Sequence, residues 1–333
     1  MQLSYSFIIP VYNRPQEIRE LLDSILLLDF DEPFEIVIVE DGSTVDCVEV
    51  IDEFRKNLNI SYYYKENSGP GDSRNFGMKK AHGNYFLILD SDCILPKKYL
   101  TVVDQFLKSN YVDCFGGADA AHSSFTALQK AINYTMTSFF TTGGIRGSKK
   151  GVHKFEPRSF NMGLSKKAFE ETKGFSNIHP GEDPDLSRRI MKAGFRTAFV
   201  PNAEVYHKRR ISWSNFYLQV RKFGMVRPIL NKWHPDSAKI TFWFPTFFIL
   251  FVVVTAVLSV ISTPLFLIPL GLYAGLVLID STIRNQSLVI GFMSVIALFI
   301  QFFGYGTAFL KSTILVNVLK KDPEKQFPTL FFK

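Results

Sequence analysis

Short apolar runs separated by amphipathic stretches fill the first 115 residues. Tyr5–Val11 is one such run. Pro15 then opens a stretch with Ile18, Leu21, Leu22, Ile25 and Leu26 on one face, which predicts a strand followed by a helix. Glu35–Val39 is a second, β-branched run ending at Glu40-Asp41-Gly42-Ser43. Ile60–Tyr64 is a third, followed by the turn Ser68-Gly69-Pro70-Gly71 and a helix near Asp72–Ala81. Tyr85–Leu89 is a fourth, ending at Asp90-Ser91-Asp92, and Lys97–Lys108 is helical again. Strands this apolar, alternating with helices, predict a parallel sheet covered on both faces. Ligands of such sheets bind beyond the carboxyl ends of the strands. Polar residues gather at three of those ends: Asn13, Glu40 with Asp41, and Asp90 with Asp92.

The following residues are less regular. Thr141–His153 is rich in Gly, Ser and Lys and reads as a mobile loop or lid. Ser159–Ser165 reads as a strand, Lys166–Thr172 as a short helix, and Glu182–Ala193 as a helix stopped by Gly194. Beyond them the pattern changes. No Asp, Glu, Lys or Arg occurs from Ile240 to Ile279, nor from Asn285 to Leu310. A membrane span takes about 20 apolar residues, so Thr241–Ile261, Pro264–Ile279 and Leu288–Leu310 are candidate spans. The expected domains are a catalytic domain over 1–235, an interfacial basic segment over 208–239, a membrane region over 240–320 and a short tail over 321–333.

Composition sharpens that division. Of 333 residues 21% are charged and 47% hydrophobic, which excludes a disordered chain. The net charge of +7 is matched by one segment alone: Lys208, Arg209, Arg210, Arg221, Lys222, Arg227, Lys232 and Lys239, opposed there only by Asp236. A basic band abutting an apolar span suits the anionic inner leaflet, at about 1 kcal/mol per residue, and the positive-inside rule. Trp213, Phe216 and Tyr217 are expected there as interfacial anchors. No nucleic-acid motif accompanies the charge, so no nucleic-acid partner is expected. Cys47, Cys93 and Cys114 lack metal or redox spacing and read as buried reduced thiols. Phe7–Val11 is too short for a signal peptide, which predicts a cytoplasmic catalytic domain. Nothing in the spacing of His82, His122, His153, His179 or His234 marks them for chemistry.

Asp90-Ser91-Asp92 is the most informative triplet. Two carboxylates at a frayed strand end can reach one site, and such oxygen ligands suit Mg²⁺ or Mn²⁺ on a phosphate. Together with Phe7-Ile8-Ile9-Pro10-Val11-Tyr12-Asn13-Arg14, Val37-Ile38-Val39-Glu40-Asp41-Gly42-Ser43-Thr44, Ser73-Arg74-Asn75-Phe76-Gly77 and Gly181-Glu182-Asp183-Pro184-Asp185-Leu186, the triplet resembles the family-2 glycosyltransferases, in the family's order and to about residue 225. The resemblance implies an α/β GT-A fold, Rossmann-like with a mostly parallel sheet, followed here by transmembrane helices. It also implies inverting transfer of a sugar from a nucleotide diphosphate donor, usually UDP.

By that resemblance Pro10, Val11 and Asn13 line the nucleotide site, Glu40 and Asp41 contact the base, and Arg74 lies by the nucleotide. Asp90 sits near the ribose or sugar, and Asp92 holds the metal, Mn²⁺ or Mg²⁺. Glu182 and Asp183 match the acceptor-site acid pair, with Asp183 as general base. His207 matches a position where several members bind metal. Two departures stand out. Val45 displaces the acid that usually closes the Asp-Gly-Ser-Thr loop, so no role passes to Asp46. Gln219-Val220-Arg221 lacks the Trp of processive synthases, which favours single-sugar transfer. The expected partners are a nucleotide-sugar donor, a lipid-linked or surface-glycan acceptor and membrane lipids. A polyprenyl-phosphate sugar transferase and a non-catalytic scaffold are the alternatives. The expected location is the cytoplasmic membrane, multi-pass, with two or three spans.

Overall fold

The structure is a computed structural model and describes residues 2–120, 125–143, 155–207 and 212–332. By internal contacts the chain forms two units, one of 1–122, 149–208 and 331–333, the other of 123–148 and 209–330.

The first unit opens with β1 (Tyr5–Val11), α1 (Pro15–Leu26), β2 (Phe34–Asp41), α2 (Val48–Phe54), β3 (Ile60–Lys65), α3 (Pro70–Lys80) and β4 (Tyr85–Leu89), in the rhythm the apolar runs predict. Then come β5 (Cys93–Ile94), α4 (Tyr99–Ser109) and β6 (Cys114–Ala120). After an excursion into the second unit through α5 (Ala127–Thr137) and α6 (Phe139–Thr142) the chain resumes with β7 (Asn161–Ser165), α7 (Lys166–Thr172), α8 (Glu182–Lys192) and β8 (Thr197–His207). The strands make one sheet in the order β3-β2-β1-β4-β7-β6-β8-β5.

The sheet is mixed. β3, β2, β1 and β4 are parallel, as are β6 and β8, but β7 runs antiparallel to both β4 and β6, and β5 antiparallel to β8. A parallel return needs a crossover over the sheet; the chain reaches β7 from the other unit and enters the sheet in the opposite sense. The carboxyl ends of β1, β2 and β4 therefore share an edge with the amino end of β7, where Leu89 faces Asn161. Each face carries its own core. Phe7, Ile9, Leu21, Ile38, Leu87 and Leu100 are buried on one side, and Ile8, Val37, Phe86, Met162, Leu186 and Ile190 on the other. α3 lies close on the sheet because Gly77 lets it: a Cβ there would sit 2.9 Å from Ile8 and 3.2 Å from Val39.

The second unit contains α5 (Ala127–Thr137), α6 (Phe139–Thr142), α9 (Trp213–Trp233), α10 (Phe244–Ile261), α11 (Ile268–Asn285) and α12 (Leu288–Ser312). Phe216, expected as an interfacial anchor, is instead fully buried with Ile132, Met136, Val220 and Ala297, while Tyr217 and Trp233 are exposed. Phe216 falls on the face of α9 that packs against α12. Three helices among the described residues, Ile240–Ile261, Pro264–Asn285 and Leu288–Val318, are long and apolar enough to cross a membrane. The middle one outruns its uncharged stretch because Asp280 and Arg284 pair at 2.9 Å within the helix. Residues 144–154, most of the expected lid, and Lys208, Arg209 and Arg210 lie outside the described residues.

Candidate active site

Three loops at the carboxyl edge of the sheet are laced together by the residues that the motifs single out. Pro10 and Val11 end β1, buried. Asn13 follows in the left-handed region (φ 53°), which Asn tolerates well. Its Oδ1 accepts from Thr44 N (2.8 Å), Thr44 Oγ1 (3.0 Å) and Val45 N (3.0 Å), tying the loop after β2 to the one after β1. Glu40 is fully buried and accepts from Ser43 Oγ, Cys47 N (3.1 Å) and Cys47 Sγ (2.8 Å). Asp41 accepts from Lys65 Nζ (2.7 Å), Ser68 N (3.0 Å) and Gly69 N (3.0 Å). Buried carboxylates need such partners, and here those partners are the framework of the loops.

Arg74, on the first turns of α3, is the centre of the site. Its side chain is 4% exposed; Nη2 donates to Asp90 Oδ1 at 2.7 Å, and Nη1 lies 3.4 Å from Glu182 Oε1. One guanidinium thus joins the end of β4 to the start of α8, and its face lies over the Phe175 ring, 5.3 Å away. The next residue strengthens the link. Asn75 clasps the backbone of Phe175 through two bonds of 2.8 Å. Asp185 pairs with Arg189 along α8 at 2.8 Å, a bond internal to the helix.

Glu182 and Asp183 differ sharply in their surroundings. Burial pushes Glu182 up, but the hydrogen bond and charge of His179 and the charge of Arg74 outweigh it and hold Glu182 below the ordinary carboxylate range. Asp183 is raised to about 6, first by burial and then by the neighbouring Glu182 charge, against the pull of Arg74 and Arg158. Asp183 accepts from the Ser159 backbone, and its buried Oδ1 has no hydrogen-bond partner. Ser159 and Arg158 precede β7, which the antiparallel strand brings to this edge. Sequence reasoning missed His179, whose Nδ1 lies 2.8 Å from Glu182 Oε1. Its only signal was its place three residues before the acid.

Asp92 presents its carboxylate to a cation already. Arg14 Nη1 lies 2.6 Å from Asp92 Oδ2. The register of β5 with β8 sets His207 opposite Cys93, one residue from Asp92; the His207 side chain lies outside the described residues. A carboxylate with an imidazole is a donor set that Mn²⁺ accepts. Among the described residues no three His, Cys, Asp or Glu side chains converge as a metal cage. A divalent ion here would complete its shell with phosphate and water, as Mg²⁺ and its analogues do.

Known proteins share this frame. The poly(ribitol-phosphate) beta-N-acetylglucosaminyltransferase TarS of Staphylococcus aureus is 34% identical over 114 residues, 33% of this chain and 20% of that protein. The matched segments thus span about a fifth of the length of the relatives. Solved structures of S. aureus TarS 1–349 with UDP-GlcNAc (TM-score 0.51, 19% identity, 93% of this chain and 91% of that one) and of a Pyrobaculum calidifontis mannosyltransferase with GDP-Man and Mn²⁺ (TM-score 0.57, 15% identity, 97% and 89%) share the fold. The family model described as glycosyl transferase family 2 matches residues 6–172, half of the chain. This chain therefore belongs to glycosyl transferase family 2.

Proposed function

We propose that this glycosyltransferase moves a sugar from a nucleotide diphosphate, a UDP-sugar, to a hydroxyl of a lipid-linked or surface-glycan acceptor, with inversion at the anomeric carbon. The observation that carries the reading is Arg74 joined to both Asp90 and Glu182, with Asp183 beside them on α8. That arrangement couples a donor-side carboxylate to an acceptor-side acid pair through one fixed cation.

In the proposed reaction Asp183 takes the acceptor hydroxyl's proton as that oxygen bonds to the anomeric carbon. The bond from that carbon to the diphosphate breaks at the same time, its electrons leaving with the nucleotide. A carboxylate raised to about 6 is a stronger base than an ordinary one and is still mostly ionised at neutral pH. Asp90 and Arg74 line the path of the donor, with Pro10, Val11, Asn13, Glu40 and Asp41 shaping the nucleotide end. Asp92, with His207, would hold Mn²⁺ or Mg²⁺, which offsets charge developing on the leaving diphosphate. The nucleotide sugars in the two similar solved structures support this donor class.

The apolar helices support attachment to the cytoplasmic membrane, with the basic residues of 208–239 and the catalytic unit on the cytoplasmic side. The test is nucleotide release by the full-length protein in detergent across a panel of UDP- and GDP-sugars, with and without Mn²⁺. Metal-dependent turnover of a UDP-sugar is expected. Metal-dependent UDP binding without turnover of any nucleotide sugar would leave a non-catalytic membrane scaffold.

A further inference from the structure

The role of Asp183 in this inference rests on its reading as the base. We propose that His179 is a positioning residue for the acid pair, holding Glu182 as its permanently charged member and leaving Asp183 to exchange the proton.

A carboxylate can only accept, so the 2.8 Å contact with Glu182 Oε1 puts the hydrogen on His179 Nδ1. Glu182 is 5% exposed and has little water to fall back on. The Arg74 guanidinium stands off at 3.4 Å and spends its shorter bond, 2.7 Å, on Asp90. His179 thus makes the shortest bond to Glu182. The groups facing the pair are His179 and Arg74 on Glu182, and Arg74 and Arg158 on Asp183. Two adjacent carboxylates withdrawn from water do not both ionise cheaply, and their proton goes to the member with fewer donors. The donor from His179 steers it to Asp183.

The imidazole is itself backed by distant chain. Phe331 bridges to Ile178, Phe332 N donates to Asn177 O at 3.0 Å, and the Phe332 ring lies 6.1 Å from that of His179. The same ring rests on Gly69, where a Cβ would come within 2.4 Å of it. The segment carrying His179 is therefore held from behind, with its Nδ1 on Glu182.

Without the donor, the doubly ionised pair becomes costlier than a state in which the two carboxylates share a proton. The acid limb of the kcat profile then moves to higher pH. The test follows UDP release from UDP-N-acetylglucosamine with Mn²⁺, or GDP release from GDP-mannose if the panel selects it, against pH in the full-length protein. His179→Ala is expected to lower kcat about tenfold, with KM within about threefold, and to shift the limb upward by about half a pH unit or more. Asn carries an amide N–H where Nδ1 stood, and Gln carries one a bond further out. His179→Asn should restore the limb, and His179→Gln should behave like His179→Ala even if the latter folds poorly. Coincident limbs in the wild type and His179→Gln, or equal impairment in the Asn and Gln variants, would overturn the proposal. Asp183→Asn runs alongside: if it keeps wild-type turnover, it is the reading of Asp183 as base that fails.

Discussion

At the scale of single residues, the two aspartates of the proposed reaction are expected to fail in different ways. Asp183→Asn should depress kcat by roughly 10²–10⁴ while calorimetry still finds UDP bound. It should also stabilise the protein. A carboxyl raised from 3.8 to about 6 favours folding only while protonated, and that contribution is lost as pH rises through the folded value. The melting temperature of Asp183→Asn should therefore exceed that of the wild type at pH 8 and match it near pH 4. A lower value at pH 8 would mean that the charged form is favoured by the fold. Asp92→Asn should abolish metal-dependent turnover and reduce UDP affinity in Mn²⁺ to its metal-free level. The melting temperature should hardly move, because the Arg14 partner is 44% exposed and such pairs contribute about 0–1 kcal/mol. Turnover within about threefold of wild type, a barrier change under about 1 kcal/mol, would sink the metal assignment.

At the scale of elements, the site depends on how closely α3 approaches the sheet. Gly77 sits over Ile8 and Val39, both fully buried and without room to give. Gly77→Val should cost about 1–3 kcal/mol through overpacking and lift the helix that carries Arg74. Activity should fall further than stability, since a small shift of Arg74 loosens both Asp90 and Glu182. Parallel denaturation and kinetic measurements test this; full activity at reduced stability would show that Arg74 holds its place independently of α3. The same element explains the motif around Arg74. Arg74 and Asn75 both point from α3 to the approach to α8, one by charge and one by clasping Phe175.

At the scale of the whole molecule, the chain leaves the first unit after β8 and returns to it at Phe331, which pairs with Ile178. A chain that leaves and returns to one side crosses a membrane an even number of times. If these helices attach the chain as proposed, two of the three at most are expected to cross as full spans. On the proposed attachment Lys232 and Lys325 are expected on one side, the cytoplasmic one. Their replacements K232C and K325C should react with an impermeant maleimide only after the cells are opened. Both native positions are exposed, and Cys47, Cys93 and Cys114 are buried, so background labelling should be low. Opposite sidedness of the two positions would require an odd number of crossings.

Much of this was legible in the linear chain. Apolar runs marked β1 to β4 because a sheet covered on both faces buries both sides of its strands, and a repeat of about four marked α1, which buries one face. Uncharged length marked the apolar helices, and the acids stood out at strand ends, where parallel strands leave them at one edge. What neighbours along the chain do not encode is which distant groups meet. The Arg74–Glu182 contact joins residues 108 apart. The reversal of β7, the pairing of Arg14 with Asp92, the burial of Phe216 and the backing of His179 by Phe332 are decided in the same way, by packing between elements far apart in sequence. His179 illustrates a different limit: it stands only three residues from Glu182, but an imidazole in a loop has no periodicity to betray it. The sequence by itself determined which residues carry the family's motifs, and the tertiary structure decided which of them face each other, because charge, burial and hydrogen bonding act through space.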